Sequence, residues 1–215
     1  APDARTSEHR APRYADGTGL RRIEHRALQR ESDWSDTGAE RESPDNGRTW
    51  AQTTVEQDLS KADWPTELAA AYVGDGKILA IARTEIPGSA GGVQFQLTSA
   101  DRGATWNRER TNISDIMCST PSLVYDAQSG LVSNYYFERG KGLVKRRANA
   151  VGEVWSGPTG WAKPEIVGVG SERPWDTGNV NATVLGRAHF IAYYSGTAPD
   201  TAVYALPVLA PRRGK

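Results

Sequence analysis

Ser43-Pro44-Asp45-Asn46-Gly47-Arg48-Thr49-Trp50 and Ser99-Ala100-Asp101-Arg102-Gly103-Ala104-Thr105-Trp106 share one pattern, S-x-D-x-G-x-T-W, with five of the eight positions identical. Each residue type has a physical reason to sit in a tight turn. The Asp carboxylate accepts hydrogen bonds from the backbone two residues on, Gly takes the positive φ, and the hydroxyls satisfy what remains. Trp then leaves the turn as a large apolar plug. One copy alone would be an ordinary hairpin turn, whereas two copies in a chain of 215 residues mark a repeated structural module.

Around these copies the chain reads as short strands separated by turns. Leu68 to Val73, the turn Gly74-Asp75-Gly76 and Ile78 to Thr84 make a hairpin of apolar runs with favoured Asp-Gly chemistry at its tip. Val93-Gln94-Phe95-Gln96-Leu97 alternates strictly and runs into the second copy. Ser122 to Tyr125, the turn Gln128-Ser129-Gly130, Leu131 to Phe137 and Leu143 to Arg147 repeat the plan. That unit ends in Ala148-Asn149-Ala150-Val151-Gly152-Glu153-Val154-Trp155, which keeps Gly and Trp and reads as a degenerate third copy. A fourth unit runs through Asn181 to Leu185, the turn Gly186-Arg187, His189 to Tyr194 and Ala202 to Leu206. Trp50, Trp106 and Trp155 stand 56 and 49 positions apart, a spacing expected of one four-stranded sheet per repeat. Leu20 to Glu31 is Arg-rich and reads either as strands or as a short amphipathic helix; the hairpin needed by the first copy favours strands. Residues 1–9 and 211–215 read as polar tails around a single domain over 10–210.

Composition agrees with an all-β chain rich in turns. There are 22 Gly, 12 Pro and 7 Trp, with 38% hydrophobic residues, enough for one sizeable core. Lys plus Arg balance Asp plus Glu at 26 each, so no net field steers the protein toward nucleic acid or a membrane, and self-association meets no net repulsion. Cys118 is the single cysteine, which excludes an intramolecular disulfide framework and a Cys-rich metal site; it reads as a small buried residue. No stretch approaches the roughly 20 apolar residues of a membrane span. No cofactor or metal is expected.

The repeated signature is that of the Asp box, or BNR repeat, and the sequence resembles the sialidase (neuraminidase) superfamily of β-propellers. The resemblance implies four-stranded antiparallel blades, with each box at the turn between the third and fourth strands and away from the active site, so Asp45 and Asp101 are structural. About four blades are visible, against six in the familiar sialidases. This leaves open a compact relative, a part of a six-bladed propeller, or subunits that complete one another.

The resemblance also implies a set of site residues. In sialidases a Tyr nucleophile is deprotonated by a Glu, an Asp serves as acid/base, and three Arg hold the sugar carboxylate; the Tyr marks an exception to the two-carboxylate scheme of other glycosidases. Arg suits the task because its planar fork donates two parallel hydrogen bonds and stays charged. Glu67, the Asp75-Gly76 turn and Arg83 follow the family's order, with Glu67 and Arg83 16 positions apart, so that a hairpin would bring both to one end. Arg10-Ala11-Pro12 is similar to the R-I-P motif that opens the first blade, which makes Arg10 a second carboxylate ligand and Asp33 the acid/base, with Asp36 its rival. Cys118-Ser119-Thr120-Pro121-Ser122 and Leu131-Val132-Ser133-Asn134 are similar to further family stretches and point to Arg139 as the third Arg, with Lys141 and Arg146 as competitors. At the register of the Tyr nucleophile the chain has Thr177-Gly178-Asn179-Val180-Asn181, without a Tyr; Tyr194, on the returning strand, is the candidate, alongside Tyr193, Tyr135 and Tyr136.

Two functions follow as expectations. One is a sialidase-like glycoside hydrolase that removes terminal sialic acid or a similar acidic sugar. The alternative is a non-catalytic glycan-binding or structural propeller of a cell-surface or virion assembly. In both, the partners are sialylated or other acidic glycans rather than nucleic acid, the protein is not inserted in a membrane, and its location is extracellular or at a cell or virion surface.

Overall fold

The structure is a computed structural model that describes residues 37–42, 48–49, 51–57, 65–84, 92–116, 119–173, 177–197 and 199–212. Among the described residues, thirteen strands fall into four antiparallel sheets. The first is the pair β1 (Thr37–Glu42) and β2 (Ala51–Gln57). The second holds β3 (Pro65–Gly74), β4 (Lys77–Thr84), β5 (Phe95–Ser99) and β6 (Asn107–Arg110) in sequence order. The third is built the same way from β7 (Ser122–Asp126), β8 (Leu131–Glu138), β9 (Leu143–Ala150) and β10 (Glu165–Val169). The fourth holds β11 (Gly178–Leu185), β12 (Ala188–Thr197) and β13 (Asp200–Leu209).

Local chemistry sets these meanders. The β3–β4 hairpin closes on Asp75 at φ 52 and Gly76 at φ 75. Two successive positive φ values match the right-handed twist of the flanking strands, and Asp-Gly reaches them at low cost. Between β5 and β6 the second S-x-D-x-G-x-T-W copy forms the turn from the third to the fourth strand, as the resemblance implies. Asp101 there accepts from the Thr105 N–H at 2.9 Å and from the Thr105 hydroxyl at 2.6 Å, so its carboxylate reaches four residues on rather than two. Ser99 donates to Asp101 at 2.8 Å and accepts from the Gly103 N–H at 2.8 Å. Gly103 takes φ 91, and the Trp106 indole N–H ties back to the Gly103 carbonyl at 3.0 Å. These bonds hold the Asp101 carboxyl at about 2, led by the Thr105 hydroxyl. The first copy lies between β1 and β2; of its residues only Arg48 and Thr49 are described, and Ser43, Asp45, Gly47 and Trp50 lie outside the described residues.

The expected third copy is not a turn of this kind. Val151–Ser156 forms a short helix, α1, followed by a 3₁₀ turn over Pro158–Gly160. Without Ser or Asp at the required positions nothing can close the box. The apolar residues instead go inward: Val154 is fully buried, its carbonyl accepts from Gln96 Nε2 at 2.6 Å, and the Gln96 carbonyl oxygen takes the Trp161 indole N–H at 3.1 Å. Trp155 packs, partly buried, against the same apolar cluster, with Lys77 Nζ 5.4 Å from its ring centre.

Sheet stacking is radial. The first strand β3 packs on β7, and β7 packs on β11, so the opening strands of consecutive sheets lie side by side. Three apolar layers fill the spaces between sheets. Ala80, Phe95 and Leu97 meet Val55 of the first sheet. Leu79 and Ile81 meet Val132 and Tyr136. Val124, Phe137 and Val144 meet Val180, Ile191 and Tyr193. β4, past its first residue, and β8 throughout are buried on both faces. A strand buried on both faces reads as a near-continuous apolar run instead of an alternation, as Ile78 to Ala82 does. Each fully buried Leu or Ile contributes about 1.5–3 kcal/mol by leaving water. Radially stacked four-stranded antiparallel sheets are the blades of a β-propeller.

Candidate functional site

In such an arrangement the start of the first strand and the end of the second lie at one rim of every blade. In blade two the β3–β4 register pairs Pro65 with Thr84 and Leu68 with Ala82, with an irregularity between, and there Glu67 and Arg83 meet. Arg83 Nη1 stands 2.5 Å from Glu67 Oε2, and the Thr66 hydroxyl donates to the same oxygen at 3.0 Å. The Arg83 side chain is 9% exposed and that of Glu67 39%, so the carboxylate is the member of the pair that faces solvent.

In blade three Arg139 follows the end of β8, at the corresponding rim. It is buried, and its Nη2 donates to Asn179 Oδ1 at 3.4 Å. The same oxygen accepts from the Thr120 hydroxyl, just ahead of β7, at 2.8 Å. Asn179 holds a positive φ of 49 at the start of β11, next to Gly178 at φ 131. Gly178 is where a close approach demands glycine: a Cβ there would stand 2.8 Å from Arg139 Nε. Glu67, Arg83, Arg139, Thr120 and Asn179 therefore belong to one rim, carried by three successive blades.

The other sequence-derived candidates divide. Tyr194 pairs across the strands with Gly178, which brings it to the same rim, but its ring lies on the opposite face of β12 from Tyr193, away from the blade that carries Arg139. Lys141 is exposed and paired with Glu138 at 2.8 Å. Arg146 faces blade four: it donates to Glu165 at 2.6 Å and to the Leu209 carbonyl at 2.6 Å. Arg10, Asp33 and Asp36 lie outside the described residues, as does Cys118.

Two polar clusters were invisible in the sequence. Between blades two and three, Asp115 accepts from Lys145 at 2.6 Å, from Arg147 at 2.9 Å and from the Tyr136 hydroxyl at 3.1 Å, while Arg147 Nε donates to the Tyr136 oxygen at 2.7 Å. Burial alone would raise the Asp115 carboxyl, but Lys145 and Arg147 outweigh it and bring it down. Burial also pushes the Tyr136 phenol well above its ordinary range, so it serves as a neutral link. Lys145 in addition pairs with Glu138. Between blades three and four, His189 Nδ1 lies 2.7 Å from the Tyr135 hydroxyl, which also receives Arg146 Nη1 at 3.4 Å. Burial, then the Arg146 charge, lowers the His189 pKa and keeps the ring neutral. Tyr135, Tyr136 and Arg146 were candidates for other roles, and the sequence held no signal that would join them to Asp115, in the loop before β7, or to His189 on β12. Among the described residues no group of three His, Cys, Asp or Glu could hold a metal ion, and no helix is long and apolar enough to cross a membrane.

No protein-family model and no curated protein matches the sequence. Solved structures do match the fold. Trypanosoma rangeli sialidase aligns with a TM-score of 0.54 at 13% identity over 80% of this chain and 27% of that one. The NanB sialidase of Streptococcus pneumoniae aligns at 0.54 and 17% identity, over 74% of this chain and 24% of its own. A GH43 endo-arabinanase of Bacillus licheniformis aligns at 0.58 and 12% identity, over 80% and 65%. The chain thus spans about a quarter of the length of the sialidases it resembles. Its fold is the β-propeller that these glycosidases share.

Proposed function

We propose that this protein is a sialidase-like glycoside hydrolase whose rim, at the start of β3, β7 and β11, holds the carboxylate of a terminal sialic acid or a similar acidic sugar. The observation that carries this reading is the Glu67–Arg83 pair, a solvent-facing carboxylate on a buried guanidinium at 2.5 Å, with Arg139 on the same rim of the next blade. Arg83 and Arg139 supply fixed positive charge and forked donors to an anionic sugar. Glu67 takes the proton of the attacking nucleophile. On this reading Arg10 adds a third guanidinium and Asp33 protonates the leaving oxygen. A protein with this task works at an extracellular or cell or virion surface, where such glycans are displayed.

Two placements favour a second reading, a propeller that binds glycans without turnover. Asn179 occupies the start of β11, and Tyr194 faces away from blade three. A fluorogenic sialoside separates the readings. Turnover by the parent protein, cut by about 100-fold or more in Arg83→Ala and Glu67→Gln with folding intact, supports hydrolysis. No release by the parent, with acidic glycans still bound on an array and lost in Arg139→Ala, supports binding alone. Neither release nor binding would refute both.

A further inference from the structure

Four of the buried cations among the described residues meet a carboxylate: Arg83 meets Glu67, Lys145 and Arg147 meet Asp115, and Arg146 meets Glu165. Arg139 differs. It is 9% exposed, no carboxylate among the described residues pairs with it, and its Nε, on the side of Gly178, has no hydrogen-bond partner there. Its bond goes instead to a neutral group, the Asn179 amide oxygen at 3.4 Å. A buried guanidinium without a counter-charge is costly, so a neighbour that holds it without neutralising it calls for a reason.

Hydrogen-bond chemistry fixes what Asn179 presents. A guanidinium only donates, so the oxygen of the amide must face Arg139 and its nitrogen must turn away. The same oxygen accepts from the Thr120 hydroxyl at 2.8 Å, so both of its lone pairs are taken. The side chain is exposed, and its nitrogen has no partner among the described residues. Covalent geometry keeps that nitrogen beside Oδ1, and therefore within reach of a group resting on Arg139. Two donors of different kinds, one charged and one neutral, thus flank the same opening. The φ of 49 that sets this side chain in place suits Asn, and Asp would adopt it as well. An Asp would also fit the space, but its carboxylate would pair with Arg139 and repel an incoming anion.

We propose that Asn179 is a specificity-determining residue of the rim: it holds Arg139 without cancelling its charge, and its amide nitrogen donates to the carboxylate that Arg139 binds. This rests on the acidic-sugar reading above and names the residue that keeps the site selective for an anion. Titration calorimetry of the full chain tests it with an S-linked methyl sialoside, which resists cleavage, and with the neutral methyl ester of that compound. The parent should bind the acid more tightly than the ester. Asn179→Asp should raise the dissociation constant of the acid by about tenfold or more and that of the ester by less than about threefold. Asn179→Ala should raise that of the acid by about three- to tenfold, the worth of one hydrogen bond. Circular dichroism confirms that each variant is folded. Equal losses for acid and ester in Asn179→Asp, or parent affinity for the acid in Asn179→Ala, would overturn the inference; with binding still abolished in Arg139→Ala, the acidic-sugar reading would stand without it. A folded parent that binds neither compound would remove both.

Discussion

Gly178 is a position where a single methyl group should damage the rim through Arg139. It opens β11 at φ 131, and an added Cβ would meet Arg139 at 2.8 Å from Nε, 2.9 Å from Nη2 and 3.3 Å from Cζ. Two costs follow for Gly178→Ala. A side chain forced into that backbone region costs about 1–3 kcal/mol, and overpacking against a buried group costs about 1–3 kcal/mol more. We expect a loss of about 3 kcal/mol, read as a fall of roughly 1 M in the urea midpoint for a chain of this size. The two costs separate in a double-mutant cycle with Arg139→Ala. Without the guanidinium only the backbone cost remains, so Gly178→Ala should be about 1–2 kcal/mol milder in that background. If the proposed function holds, Arg139 shifted by the methyl should also weaken acidic-sugar binding. A loss below about 0.5 kcal/mol, the range of ordinary surface substitutions, would refute the reasoning, as would equal losses in both backgrounds.

Further outcomes follow from the buried clusters and the box turn. Tyr136→Phe removes the hydroxyl between Arg147 Nε and Asp115 and should cost about 1–3 kcal/mol in urea unfolding, because a buried donor loses its partner. His189 has a folded pKa below its ordinary 6.5, so the folded chain binds fewer protons than the unfolded one in the window beneath that value. Stability should therefore be full above pH 6.5 and fall as the pH drops through it, and His189→Gln should flatten this part of the thermal-melt profile. Asp101 is the acid-side case: its contribution is present above 3.8 and is lost as the pH falls toward about 2. Asp101→Asn should remove that slope and speed hydrogen exchange at the Thr105 amide.

How much was legible beforehand depends on whether the information was local. The S-x-D-x-G-x-T-W turn between β5 and β6 and the Asp75-Gly76 hairpin were readable because their bonds close within four residues, through Asp101, Ser99 and two positive φ values. The hairpin register also made the meeting of Glu67 with Arg83 foreseeable, since a tight turn fixes which residues of two strands lie opposite. The stretch from Ala148 to Trp155 misled because it keeps the Gly and Trp of the repeat without the acceptors that close it, and Val154 found a better place in the core.

The chain alone determined the strand-and-turn grammar, the repeat and the residues that a hairpin must bring together, because each of these follows from neighbours along the backbone. Packing decided the rest. Whether Arg139 lies against Gly178, whether Arg146 reaches the Leu209 carbonyl rather than the rim, and whether Tyr136 links Asp115 to Arg147 all depend on which blade lies next to which. So does the choice of buried side on β12: alternation along the strand shows two sides, but only the stacking of sheets determines which one meets blade three.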